Sequence, residues 1–254
     1  MASGFAIVLP ARYQSTRFPG KPLALVSGRP LIEWVYRRAR EVPGASRVVV
    51  ATDHEGIAGV VRGFGGEVVM TSAGCRTGTD RVAEAARTLG CDPIVNLQGD
   101  EPVFPPDLVS RMIETVNSSP GVDIVTACHP IHDEAEFASS HAVKVVMDAE
   151  GRALYFSRSP IPHRNASAGA PGSLDPRGGD LLGYRHIGVY VFRAASLFRF
   201  TRLPQTPLEI SEGLEQLRAL EHGMWVQVVK SSQPTVGVDV PEDVKKVEKA
   251  LGGA

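Results

Sequence analysis

Cysteine is scarce: Cys75, Cys91 and Cys128 are the only three in 254 residues, an odd number at wide spacing. That excludes a disulfide framework and fits no zinc-ligand pattern, so the three read as small buried hydrophobes. Charge of one sign is also missing, since 27 Lys and Arg face 28 Asp and Glu for a net charge of −1. A general nucleic-acid or anionic-membrane surface is therefore not expected. No apolar run approaches the roughly 20 residues that span a bilayer, and no basic stretch precedes the short apolar run near the start. The expectation is a soluble cytoplasmic protein with no membrane span and no nucleic-acid partner. GxGxxG and GxxxxGK[ST] are absent too, so glycine-loop amides are not the evident ligands for a phosphate.

What is present is a chain that is 43% hydrophobic and 22% charged, enough for one large α/β domain with a good core or for one domain with an insertion. Its organising stretch runs from Phe5 to Leu23. Ala6-Ile7-Val8-Leu9 is an uninterrupted aliphatic run of the kind that forms a strand covered on both faces, and the loop after such a strand is where ligands bind in parallel α/β sheets. Arg12, Arg17 and Lys21 place three cations within ten residues of that loop, stiffened by Pro10, Pro19, Gly20 and Pro22. A solvated basic loop is one reading; a polyphosphate clamp at a strand end is the other.

The rest of the chain keeps a βαβα rhythm. Pro30–Glu41 reads as a helix, Arg47–Asp53 as a buried strand, and Ile57, Val60, Val61 and Phe64 have the spacing of a second helix. Glu67–Met70 is a short strand, a third helix starts near Asp80, Pro93–Leu97 is a fourth strand, and a helix follows from Pro106. From Gly121 the pattern changes to strands at Val122–Ala127, Ala142–Met147, Ala153–Phe156 and His186–Phe192, with a mobile loop expected at Asn165–Asp180. Helix returns over Pro207–His222, followed by a strand at Trp225–Val229 and a last helix from Pro241 to Leu251. The mixed stretch in the middle reads as an insertion.

Two acids stand at strand tips: Asp100, just after Pro93–Leu97, and Asp239, in Val236-Gly237-Val238-Asp239. A strand-end Asp also caps helices and forms turns. Beside Glu101 and the cationic loop, the pair suits Mg²⁺, which takes one or two protein carboxylates and completes its octahedron with water and phosphate oxygens.

The run Pro10-Ala11-Arg12 through Arg17-Phe18-Pro19-Gly20-Lys21-Pro22-Leu23, with Ala51-Thr52-Asp53, Gly78-Thr79-Asp80-Arg81, Asn96-Leu97-Gln98-Gly99-Asp100-Glu101-Pro102, Tyr155-Phe156-Ser157-Arg158, His186-Ile187-Gly188-Val189-Tyr190 and Leu214-Glu215-Gln216-Leu217-Arg218, resembles the 3-deoxy-manno-octulosonate cytidylyltransferases (CMP-Kdo synthetases) in residues and order. The resemblance covers almost the whole chain. It implies one Rossmann-like nucleotidyltransferase domain over residues 1–254, α/β with a mostly parallel sheet, an inserted mixed-sheet region at about 121–200, and a homodimer built through that region. The implied reaction is transfer of CMP from CTP to the anomeric hydroxyl of 3-deoxy-D-manno-octulosonate (Kdo), giving CMP-Kdo and pyrophosphate for lipopolysaccharide biosynthesis. A cytidylyltransferase for another acidic sugar, such as a sialic acid or an amino-Kdo, and a non-catalytic nucleotide-binding regulator are the alternatives.

Residue by residue, the resemblance puts Arg12, Arg17 and Lys21 on the triphosphate and Pro10, Ala11, Arg76, Thr77, Gly78 and Thr79 around cytosine and ribose. Asp100 and Asp239 become the Mg²⁺ ligands. The sugar acid would meet Gln98, Arg158, His186, Tyr190, Glu215 and Gln216, with Arg158 forked onto its carboxylate. Nucleotide-reading and sugar-reading residues then come from different segments and are expected to be separable by mutation. Two departures stand out. Gly74-Cys75-Arg76-Thr77 replaces a more usual polar residue and Ser before Gly-Thr, and Gly213 falls mid-helix, where a glycine costs about 1 kcal/mol relative to Ala.

Overall fold

The aliphatic run Ala6–Pro10 forms β1 in the computed structural model, which describes residues 4–14, 18–163 and 181–252. Arg17 and the Asn165–Asp180 stretch therefore lie outside the described residues. After β1 come a 3₁₀ turn at Lys21–Leu23, a small hairpin of β2 (Leu25–Val26) and β3 (Arg29–Pro30), and α1 (Leu31–Arg40). The alternation continues through β4 (Arg47–Thr52), α2 (Glu55–Gly63), β5 (Glu67–Met70), α3 (Gly78–Ala86), β6 (Ile94–Asn96) and α4 (Pro106–Ser118). The middle of the chain supplies β7 (Ile124–Ile131), α5 (Glu134–Ala138), β8 (Lys144–Met147), β9 (Ala153–Ser157) and β10 (Gly183–Phe192). The chain closes with α6 (Ala194–Phe200), α7 (Pro207–Glu212), α8 (Gln216–Glu221), β11 (Val226–Lys230) and α9 (Asp243–Gly252).

Among the described residues one sheet runs in the order β11-β7-β10-β6-β1-β4-β5, with β8 paired to β10 and β9 paired to β8. Strands β6, β1, β4 and β5 are parallel neighbours, as are β7 and β11, while β10 runs antiparallel between β6 and β7. The fold is thus α/β with a mostly parallel sheet. Strands β7 and β10, from the stretch read as an insertion, lie inside this sheet, and β8 and β9 extend from β10. A strand's side chains alternate between faces, so Ile7 and Leu9 join one core with Ile57, Leu108 and Met112, while Ala6 and Val8 join another with Val82, Phe156 and Leu217. Both faces of β1 are covered, which is why its sequence is continuously apolar. A third, smaller core packs Val26 and Leu31 against Val238 and Val247, so that α9 seats on the β2–β3 hairpin.

Two expectations are corrected. Pro207–His222 is not one helix: Gly213 adopts φ +63° and ends α7, and Gln216 begins α8. Gly213 is therefore a left-handed C-cap and carries no helix-interior penalty. A capping box of Thr206 and Glu209 starts α7, and the buried ion pair of Glu209 with Arg218 ties the two short helices together. Of the cysteines only Cys128 is buried; Cys75 and Cys91 are half-exposed because they lie in loops, before α3 and before β6. Among the described residues no helix is long and apolar enough to cross a membrane.

Candidate active site

The carboxyl ends of β1 and β6 are neighbours in the sheet, and the loops that leave them are pressed together. A Cβ at Gly99 would sit 2.9 Å from the carbonyl oxygen of Pro10, so only glycine lets the two loops approach this closely. Gly237 serves the third loop in the same way, because a Cβ there would lie 3.1 Å from both the Asp100 carbonyl oxygen and Glu101 Cγ. Backbone bonds then fix the register of that loop. Val236 and Val103 exchange hydrogen bonds at 2.9 and 3.3 Å, and the Val238 amide donates to the Asp100 carbonyl at 2.9 Å.

Into the resulting cleft, of about 360 Å³, project Arg12, Lys21, Gln98, Asp100 and Asp239, with Pro10, Ala11, Thr77 and Gly78 along one wall. Lys21 is delivered by its 3₁₀ turn, which Gly20 enters at φ +70°. Its ammonium donates to the Asp100 carboxylate and, at 2.9 Å, to the Val238 carbonyl, and lies 3.9 Å from Asp239 Oδ1. One cation thus bridges the two acids expected to hold a metal. Glu101, just behind them, has its carboxyl pushed up to about 7 by burial and then by the neighbouring Asp100 charge. Anionic charge is concentrated here.

A second group of expected site residues gathers around β10 and α8. The Nε2 of His186 lies 2.8 Å from the Thr126 hydroxyl, its ring meets Phe156 edge-on, and Tyr190 stands beside it at 5.5 Å between centroids. Burial, helped by the Arg185 charge, pushes His186 down to about 3, and burial with the Glu215 and Glu101 charges raises the Tyr190 hydroxyl. The imidazole is neutral and the phenol keeps its proton. Glu215, positioned by the Gly213 break at the start of α8, accepts hydrogen bonds from the Thr77 and Thr79 hydroxyls, each at 2.9 Å. Its carboxyl is nonetheless raised, because burial outweighs those bonds. Thr79, Tyr190, Glu215 and Gln216 line a small cavity completed by Phe192 and Phe200.

Two expected residues stand apart from both groups. Arg158, just past β9, donates from Nε to the Glu212 carbonyl at 2.8 Å and from Nη1 to the Ser140 carbonyl at 3.1 Å. Its turn is held from below by Lys144, whose fully buried ammonium donates to the carbonyls of Ser139, Ala142 and Arg158. Arg76 pairs with Asp80 at 3.5 Å and lines an adjoining groove, which meets the main cleft at Cys75. The Cys75 thiol donates to Glu84 and is pushed up to about 11 by burial and then by that bond, so it is protonated at neutral pH.

Sequence reasoning gave no role to Arg81 or Asn96. Arg81 lines the cleft from α3, almost fully buried, and pairs with Asp53 at 3.1 Å. Its signal was present in Ala51-Thr52-Asp53 and Gly78-Thr79-Asp80-Arg81, an acid and a base at matching ends of β4 and α3. Asn96, fully buried, is the polar residue that interrupts an otherwise apolar β6.

This arrangement, a parallel sheet whose strand-end loops gather cations and carboxylates in one crevice, defines a nucleotidyltransferase, and the chain belongs to the Cytidylyltransferase family, whose model matches residues 6–230. The relatives are more specific. A 3-deoxy-manno-octulosonate cytidylyltransferase of Geobacter sulfurreducens is 46% identical over 96% of this chain and 98% of its own length, and one from Marinobacter nauticus is 46% identical over 98% of both. A solved structure of CMP:2-keto-3-deoxy-manno-octonic acid synthetase complexed with CTP superposes with a TM-score of 0.89 at 37% identity, covering 99% of each chain. A cytidylyltransferase from Leptospira borgpetersenii shares the fold at a TM-score of 0.65 and 16% identity over 98% of this chain and 87% of its own.

Proposed function

We propose that this chain transfers CMP from CTP to the anomeric C2 hydroxyl of Kdo, releasing pyrophosphate. The observation that carries the proposal is the meeting of Lys21, Asp100 and Asp239 at the ends of β1 and β6 in a chain so similar, over its whole length, to enzymes named for that reaction. Lys21 and Arg12 bind the triphosphate and neutralise charge on the departing pyrophosphate; positioning and electrostatics dominate such a transfer. Pro10, Ala11, Thr77 and Gly78 form the wall against which the cytidine lies. Asp100 and Asp239 are hard oxygen donors converging on one cationic position, which fits Mg²⁺. Bound there, the ion supplies charge compensation for the triphosphate and lowers the pKa of a hydroxyl within its reach. No side chain is assigned as general base.

The sugar acid is read by Gln98, His186, Tyr190 and Gln216 with neutral hydrogen-bonding groups, and Arg158 supplies the charge for its carboxylate by turning from the Glu212 and Ser140 carbonyls that hold it apart from this pocket. We further infer a cytoplasmic homodimer in which the β8–β9 region meets its copy; Leu154, 59% exposed on β9, supports this. The deciding experiment is pyrophosphate release on mixing CTP, Mg²⁺ and Kdo, run beside sialic acid and an amino-Kdo. Release with Kdo alone or in clear excess is expected, preference for another acid would reassign the sugar, and no release with any would reject the enzyme reading.

A further inference from the structure

The nucleotide wall and the sugar-side cavity are joined by a chain of hydrogen bonds that passes through a residue touching neither. Gln98 Nε2, from the cleft, donates to Asn96 Oδ1 at 3.2 Å, and Asn96 Nδ2 donates to the Thr79 hydroxyl at 3.2 Å. Thr79 then donates to one oxygen of Glu215, whose other oxygen accepts from Thr77, both at 2.9 Å. Thr77 returns to the cleft, where it also caps α3 by accepting from the Asp80 amide at 3.0 Å. Each donor in this run points the same way, from Gln98 to Glu215, so every bond polarises the next. Asn96 is fully buried on β6 and lies opposite Tyr190 of β10 in the sheet, which places it between the two halves of the site.

We propose that Asn96 is a positioning residue that couples the two halves of the site, so that ligand-induced adjustment of Gln98 in the main cleft and of Thr77 on the nucleotide wall is felt at Glu215 beside the β10–α8 cavity, and the reverse. An amide is the side chain this place requires, since it accepts from Gln98 and donates to Thr79 at once. Asp would lose the donor, and an apolar residue would remove both the acceptor that Gln98 uses and the donor that Thr79 accepts from. Glu215, with both oxygens given to threonine hydroxyls, acts here as the junction between α8 and the N-terminus of α3. The proposal rests on the CTP and Kdo assignments above and goes beyond them, because it makes the two specificities energetically dependent.

The test is calorimetric titration of α,β-methylene-CTP with Mg²⁺, in the absence and presence of saturating Kdo, for wild type and Asn96→Asp. In wild type the analogue should bind about fivefold or more tightly when Kdo is present, within the usual range for coupled sites. In Asn96→Asp that gain should fall below about twofold, while each ligand alone changes by less than about threefold. A purely structural role would weaken binding of each ligand alone and leave the ratio intact. Should Asn96→Asp not fold, Thr79→Val and Thr79→Ser replace it: loss of coupling in Val with retention in Ser supports the proposal, and equal coupling in both overturns it. Coupling that is absent in wild type, or unchanged in the variant of an enzyme that releases pyrophosphate, also overturns it. If wild type neither binds Kdo nor releases pyrophosphate, the functional reading itself fails and the positioning role falls with it.

Discussion

The cleft at β1 and β6 and the pocket between β10 and α8 solve opposite electrostatic problems. In the first, formal charges of both signs stand within bonding distance of one another, with Asp239 59% exposed at the mouth and the Lys21 ammonium shared by two carboxylates. In the second, burial removes charge: His186 is held neutral and Tyr190 protonated. Interactions between fixed charges serve a polyanion and its changing charge, whereas neutral donors and acceptors suit a set of hydroxyls. The difference teaches where chemistry and where selection should reside.

The sharpest way to break this contrast is Asp100→Asn, which keeps shape and removes one charge from the cleft. Turnover should fall by about 10²–10³ at saturating Mg²⁺, the scale of losing one transition-state stabiliser, with an unchanged circular dichroism spectrum. Near-normal kcat would remove Asp100 from the metal role. Lys21→Ala should come next, raising KM for CTP about tenfold to a hundredfold, as expected for a charge-assisted bond of roughly 1.5–3 kcal/mol, with KM for Kdo little altered. An equal rise in both constants would show that Lys21 is not confined to the nucleotide side.

His186 offers a test on the uncharged side. Its folded pKa, about 3, lies below the unfolded value, so between pH 3 and about 6.5 the unfolded chain binds a proton the folded one does not. Stability therefore rises with pH across that window, by about 1.4 kcal/mol per unit for this one proton. Denaturant midpoints for wild type and His186→Gln at pH 5.0 and 7.5 should show a shallower pH dependence in the variant, and identical slopes would mean the ring already titrates normally. The smallest effect is Gly213→Ala. Nothing lies within 4 Å of a Cβ there, so the change probes backbone alone at φ +63°, and it should destabilise by about 1 kcal/mol. A helix-interior glycine would give a gain of about the same size, so the sign alone decides between the two readings.

Much of the parallel half of the fold was legible because its signals are local. Ile57, Val60, Val61 and Phe64 specify a helix by spacing, and the aliphatic run of β1 specifies a strand covered on both faces. The cleft could be read for the same reason, since Arg12, Lys21 and Asp100 follow the ends of β1 and β6; Asp239, expected at a strand tip, instead sits in a loop held by the bridge of Val236 to Val103. α5 and α6 went unseen because five and seven residues make too few turns to display a period. The break at Gly213 was missed because the apolar pattern continues in phase on both sides, and only the positive φ reveals the cap. Arg81–Asp53 and the Asn96 network depend on which side chains meet across 28 positions in the first case and, where Thr79 and Thr77 reach Glu215, 136 and 138 in the second, a property of the folded sheet that no local pattern carries.

Lys21 donates to the carbonyl of Val238, 217 positions further along the chain, and the loop bearing Val238 is clasped by α9 against the β2–β3 hairpin. The cleft is therefore completed only by a segment that follows β11 in the chain. During synthesis, β1, β4, β5 and β6 can pair as they emerge, but the wall that carries Asp239 arrives only after β11, the last of the described strands, has been made. A chain that lacks the segment from Val236 to α9 has the cationic loop without its second acid, so the ability to carry out the reaction is tied to that segment having been made.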